Sequence, residues 1–508
     1  SAEKDVIIRD PVVVQATLPR LLNFGDASRF HIEIDNVDGA PGDYAVDVDV
    51  RGPVTIAADA LRHSFKLAAK QRMAFSIPVK AAGTGTAEIA MKLTGPNLEA
   101  PQTFSLRIAP GTSQLYRRVV RSVPAGESIT VSNDLLADFL PGTGAISVAA
   151  SPYAGIDVPA LLQALDRYPY GCTEQTVSRA LPLLYVSKLA TSQQLALDGD
   201  AKARVQKAID RVMARQDSAG RFGLWSAGSS NDLWLDSFVT DFLTRARENG
   251  YVVPARGFEQ ALDWLRNQVA NTTDITSKNG ANIAYAVYVL ARNGRPVMGD
   301  LRYLAETKIE AFNTALAQAQ IGAALALLGD RGRATKAFEA GARALATAET
   351  SKYSRADYGS LLRDSAGFLA LAAEANVNTS LISQAALKLQ GERSASAYTS
   401  TQENTWMVLA AASLASKAND MALTIDSQAH KGSYFRTWKG QSMDGKGIRI
   451  GNTGTSPVQI VLTTSGFPAV REPAESKGYS LERSYYTMTG KPADLNSIRQ
   501  NDRLVTVL

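Results

Sequence analysis

Cysteine and histidine are the scarcest features of this 508-residue chain: one cysteine and three histidines. A single cysteine excludes an internal disulfide, and with it a small secreted disulfide scaffold. The histidines, His31, His63 and His430, lie far from Cys172 and from one another in sequence, so no metal-ligand spacing exists and no cofactor or metal is expected. No apolar run reaches about 18 residues, which leaves no candidate membrane span. Basic residues (54) and acidic residues (49) are dispersed, giving a net charge of only +5, so nucleic acid is not indicated. The opening SAEKD has no signal-peptide pattern, and targeting is not legible. A hydrophobic content of 45% with 20% charge describes an ordinary globular protein.

The chain has a β–α–β texture. Residues 1–112 read as an antiparallel β-sandwich, with alternating stretches such as RFHIEIDNVDG, DYAVDVDVRGPVTI, KLAAKQRMAFSIPVKA and TAEIAMKLTGPN broken at Gly, Pro and Asp-Gly. Strands continue over 113–155, around a short helical turn in NDLLADFLPG. Helical periodicity then runs over 156–417, in twelve segments at 158–167, 174–193, 200–216, 231–249, 254–270, 280–293, 298–309, 313–329, 332–347, 357–375, 379–390 and 400–417. Paired helices with apolar faces and Ala-rich interiors point to a ring or solenoid of helical hairpins, since no pair buries its apolar face alone. Strands return over 418–475. Residues 476–508 read as the start of a further β domain, in which DRLVTVL is a strand with no partner in view.

Chemistry concentrates in YPYGCTEQTVSRALPLLY, residues 168–185. Cys172 and Gln175 are three apart at the start of a helical pattern, a spacing that makes side chains neighbours on one turn. A thiol held against a carboxamide can close a Cys–Gln thioester with loss of ammonia. The product is a stored electrophile: an amine reaching the carbonyl becomes joined to Gln175 and frees the thiol, a form of nucleophilic acyl transfer.

GCTEQ behind Pro169-Tyr170 resembles the thioester motif of the α2-macroglobulin and complement family, matching at Gly171, Cys172, Glu174 and Gln175, and the whole chain is most similar to the bacterial members. STQENTWMVLAAASL at 400–414 resembles a later helix of the same domain. The resemblance implies a multidomain α and β protein. Residues 1–112 become a macroglobulin-like sandwich, and 113–155 and 418–475 become two halves of a split CUB-type sandwich. Residues 156–417 become an inserted α/α toroid thioester domain, and 476–508 the beginning of a truncated macroglobulin-like domain. It implies a protease inhibitor rather than an enzyme, a trap that captures attacking proteases covalently through their lysine amines after cleavage of a bait segment. Gly171 and Glu174 would support the crosslink. A periplasmic location, lipid-anchored to the inner membrane in the full-length protein, a monomeric state, association with cell-wall synthesis proteins and a role in host defence are further expectations. The competing class is a non-catalytic periplasmic interaction scaffold with a spent or incidental thioester.

The histidines bear on selectivity. None lies in the helical region, so no residue fills the role of the histidine that activates hydroxyls in other family members, and amines are the expected nucleophiles. The same gap weighs against a cysteine protease, which needs a base beside its thiol. Asp232 and Asp236 are four apart on one helix and form a candidate acid–base pair, although carboxylates at a helix start also suit the dipole. Tyr168 and Tyr170, with Phe222, Trp225 and Trp234, are candidates to wall the reactive pair off from water.

Overall fold

The computed structural model describes residues 10–152, 156–191, 193–272, 274–295, 298–349, 355–396, 398–415, 420–440, 443, 447–476, 478–499 and 501–508. Residues 1–9, the start of the stretch read above as a β-sandwich, and residues 416–417, read as the end of the last helix, lie outside these.

The first sandwich packs a four-stranded sheet, in the order 12–17, 27–36, 72–81 and 54–55, on a five-stranded sheet, in the order 21–23, 98–109, 85–95, 42–51 and 62–67. All neighbours are antiparallel except 21–23 and 98–109, which run parallel. Period-two burial explains the arrangement: on strand 27–36, Phe30, Ile32 and Ile34 are fully buried between the sheets. Two details differ from the sequence reading. The stretch 66–81 is the end of one strand and the whole of another, separated by a turn with Lys70 at φ 59°, so the chain passes there from one sheet to the other. Strand Leu98–Ala109, absent from the sequence reading, pairs with 85–95 across a Pro96-Asn97 turn with Asn97 at φ 56°.

The second sandwich is built from both sides of the helical region. One sheet runs 115–123, 458–466, 145–151, 434–439, and the other 128–131, 448–452, 422–425, 428–431. Leu115–Val123 pairs along its length with Val458–Gly466, so strands before the helices are hydrogen-bonded to strands after them. NDLLADFLPG contains the expected short turn, a 3-10 helix at Asn133–Leu136. The last strand corrects the sequence reading. Leu504–Val507 does have a partner: it pairs antiparallel with Ser484–Thr487.

Between the halves run the helices α1 (Val158–Arg167), α2 (Thr173–Ala180), α3 (Val186–Leu189), α4 (Ala201–Met213), α5 (Leu233–Glu248), α6 (Ala255–Ala270), α7 (Gly280–Arg292), α8 (Met298–Thr307), α9 (Ala315–Leu327), α10 (Arg331–Thr347), α11 (Leu361–Glu374), α12 (Thr379–Ala395) and α13 (Thr401–Leu414). Residues 174–193, expected as one helix, form α2, a 3-10 segment at Leu181–Tyr185 and α3, because Pro182 has no N–H to continue the α ladder. Packing neighbours close a circle: α2 on α5, α5 on α7, α7 on α9, α9 on α11, α11 on α13, and α13 back on α2. These are the inner helices. Ala315–Leu325 of α9 is buried on every face. The outer helices bury one stripe only, as in α4, where Val205, Ala208, Ile209 and Val212 face inward. The fold is therefore an α/α toroid spliced into a β-sandwich, beside a second sandwich.

Ring and split sandwich are tied together by polar contacts. Asp157, the N-cap of α1, accepts from the Thr463 hydroxyl, and Gln163 of α1 donates to Ser147 and Thr437 at 3.3 Å each.

Candidate thioester site

Cys172 is the N-cap of α2. Its sulfur accepts from the Gln175 N–H at 3.5 Å, and Gln175 Oε1 accepts from the Cys172 N–H at 3.1 Å. This is a capping box with a thiol in the cap position, and it satisfies two otherwise orphaned helix donors. Cys172 is 5% exposed. Burial pushes its thiol above the ordinary range, against the opposing pull of the Gln175 N–H.

Neighbouring groups fix this turn in space. The Thr173 N–H donates to Leu224 O at 2.8 Å and its hydroxyl to Gly223 O at 2.6 Å. Arg215 brackets Cys172, donating to Gly171 O at 2.9 Å and to Thr173 Oγ1 at 3.1 Å. The loop behind Thr173 is itself held by Asp236, which accepts from the Phe222 N–H at 2.7 Å and from Trp264 Nε1 at 2.8 Å. Gly223 tolerates no side chain, since a Cβ there would lie 1.7 Å from Ser226 O.

Glu174 does not face solvent. It is buried and accepts from Ser178 Oγ (2.6 Å), Thr401 Oγ1 (2.9 Å) and Gln402 Nε2 (2.7 Å). The stretch at 400–414 is thus α13, and its first residues clamp the turn that carries Cys172 and Gln175. Thr405 adds a bond to Ser178 O at 2.9 Å.

The aromatic residues are dispersed. Tyr170 is 62% exposed and Tyr168 is 37% exposed, and the two rings meet edge to face at 5.7 Å. Trp225 is exposed, whereas Phe222 and Trp234 are buried in the ring core. Trp234 packs at 4.8 Å against Tyr358, a residue the sequence did not single out. Tyr358 is held at φ +53°, a costly conformation for a bulky residue. Burial raises its phenol, and Asp232, Glu174 and Cys172 add to that shift. The residue before it belongs to a largely buried ion cluster. Asp357 pairs with Arg355 and Arg363 at 2.5 and 2.6 Å, and these guanidiniums hold its carboxyl down to about 2 although burial alone would raise it.

The Asp232–Asp236 pair is engaged otherwise. Asp232 caps α5 through the Trp234 and Leu235 N–H groups, and both Asp236 oxygens are occupied as described. Burial raises the Asp236 carboxyl to about 7. Among the described residues, no group of three or more His, Cys, Asp or Glu could hold a metal ion. Arg215 and Tyr358 carried no local sequence signal. Their positions depend on loops that fold against α2 from other parts of the chain.

A β-sandwich, a second sandwich interrupted by a closed helical ring, and a Cys–Gln pair capping a ring helix make the chain similar in architecture to macroglobulins that carry a helical thioester-type domain. Residues 148–278 match the family model of the A-macroglobulin TED domain. The chain is 29% identical over 535 residues to α2-macroglobulin of Escherichia coli, covering all of this chain and 32% of that protein. It superposes on the crystal structure of native E. coli α2-macroglobulin spanning domain MG7 to the C-terminus with a TM-score of 0.80 at 26% identity, covering 98% of this chain and 80% of that one. Salmonella α2-macroglobulin reacted with methylamine gives 0.79 at 27% identity, covering 99% and 34%. Over nearly its whole length the chain is similar to the C-terminal region of bacterial α2-macroglobulins. It spans about a third of the length of the curated relatives it matches (32% of the E. coli protein).

Proposed function

We propose that this chain is the thioester-bearing part of a protease trap, in which Cys172 and Gln175 are joined and an amine of the captured protease displaces the sulfur. The observation that carries this reading is the reciprocal contact at the start of α2, which puts the thiol and the carboxamide on one turn. Closure forms the S–C bond, breaks the C–N bond and releases ammonia with the thiol proton. Opening forms a C–N bond between the amine and the Gln175 carbonyl carbon and breaks the C–S bond, and the proton given up by the amine balances the departing thiolate. A lysine amine near pKa 10.4 is only about one part in a thousand neutral at pH 7, so reaction depends on a tethered target. That is the logic of a trap whose nearest amine belongs to the protease that triggered it. In this reading the split sandwich is CUB-type, Tyr168 and Tyr170 shield the bond, and the full-length protein is a periplasmic, lipid-anchored monomer that contributes to defence.

The test is the intact mass of the native chain, with and without methylamine, combined with thiol labelling. The expected result is a mass one ammonia below the sequence, an unlabelled Cys172, and a methylamine adduct that frees the thiol. A mass equal to the sequence with a thiol labelled from the start favours the scaffold reading.

A further inference from the structure

Beside the thioester motif lies a cationic groove of about 270 Å³. Its walls include Gly171 and Thr176 of the motif region, Arg179 of α2, and Arg204, Lys207 and Arg211 of α4, and none of its lining residues is acidic. The α4 cations recur at spacings of three and four, so they form one stripe, flanking the apolar stripe that packs into the ring. Like charges at these spacings destabilise a helix.

Only part of this charge is answered. Arg204 pairs with Asp166. Arg179 donates only to backbone carbonyls, at Tyr168 and Asp166. Among the described residues, Lys207 and Arg211 have no hydrogen-bond or ion-pair partner. The groove also reaches the reactive turn. The Arg211 guanidinium nitrogens lie 3.3 Å from where a Gly171 Cβ would stand, and Arg215, which brackets Cys172, adds a further positive charge at the same end.

We infer that this groove is a docking site for acidic peptide segments, and that it selects lysines flanked by carboxylates as the amines presented to the Cys172–Gln175 pair. The inference deepens the thioester reading and rests on it for its second half. The physical argument is one of field. A bare ammonium approaching Gly171 meets several uncompensated cations and is repelled. A lysine carried between glutamates or aspartates arrives on a strand whose carboxylates pair with Lys207 and Arg211. The step is the one given above: the lysine nitrogen bonds the Gln175 carbonyl carbon, the C–S bond breaks, and the amine proton balances the Cys172 thiolate.

Binding is measured first on a Cys172→Ala form, so that no covalent chemistry intervenes. The probes are fluorescein-labelled Glu-Glu-Lys-Glu-Glu and Ala-Ala-Lys-Ala-Ala, read by anisotropy at two salt concentrations. The acidic peptide should bind in a salt-sensitive way, and Lys207→Gln with Arg211→Gln should weaken it by roughly tenfold. Lys207→Glu with Arg211→Glu should abolish it. Absence of binding, binding unchanged in both double variants, or tighter binding of a single-stranded oligonucleotide of matching charge would each overturn the proposal. In the parent chain, coupling of the acidic peptide should outrun the alanine peptide by about fivefold at equal concentration. Equal rates overturn the selection of amines. If methylamine itself gives no adduct, the thioester reading fails while the binding measurement still decides the groove.

Discussion

Glu174 accepts hydrogen bonds from Ser178 of its own helix and from Thr401 of α13, 227 residues away, and it does so one residue from Gln175 and two from Cys172. Replacing it with Ala takes the acceptor from the Ser178 and Thr401 hydroxyls and leaves Gln402 Nε2 only Ser178 Oγ, at a cost of about 3 kcal/mol. Thr401→Val, which removes one donor and leaves the others paired, should cost about 1 kcal/mol. Urea unfolding of the two variants checks the order. Asp236 gives a prediction in pH. Its folded carboxyl sits at about 7, against roughly 3.9 in an unfolded chain. The native state therefore holds this proton more tightly, and the Asp236 contribution to stability declines as pH rises from about 4 to about 7, then levels off. Asp236→Asn lacks that titration. Urea midpoints measured from pH 5 to 8 should show the parent losing ground to the variant over this window. A constant difference would mean that Asp236 stays ionised throughout.

Helices were the most legible elements, because a 3.6-residue period survives whatever surrounds it. Strands were less so. Leu98–Ala109 was missed although Phe104, Leu106 and Ile108 alternate, and the 66–81 stretch was fused because Leu67 and Met73 are both apolar across a turn that only the Lys70 backbone marks. The Cys172–Gln175 turn was readable from its spacing together with the GCTEQ motif around it. Its supports were not, since Arg215, Tyr358 and the Thr401–Gln402 pair reach it from distant segments. What an inner helix must neutralise is also invisible in sequence. Arg245 of α5 is fully buried, and it donates to Asp241 (2.8 Å), Tyr185 (2.8 Å), Tyr288 (2.8 Å) and Glu374 (3.1 Å), with Arg292 bridging Glu374 to Glu248. Arg245→Met would leave Asp241 without its cation in the ring core and should cost about 3–5 kcal/mol in urea unfolding. A loss below 1 kcal/mol would show that Tyr285, which donates to Asp241 at 3.0 Å, carries that charge instead.

At the scale of the whole molecule, ring and split sandwich form one interleaved object. Asn452 donates to Val123 O at 2.9 Å across 329 residues, and Gln459 donates to Ser122 across 337. Such pairings close very long loops, whose entropy cost grows with length. The ring, made of neighbouring helices in sequence order, pays far less. An order of folding follows. The helices must condense first and bring residues 151 and 422 near each other before the sandwich can zip. Four of the five tryptophans lie in the ring, at 225, 234, 264 and 406, and Trp438 lies in the sandwich core. A refolding chain should therefore recover its far-ultraviolet helical signal before the emission of Trp438 settles, and a ribosome-bound chain halted short of residue 448 would carry a finished ring on an unfinished sandwich.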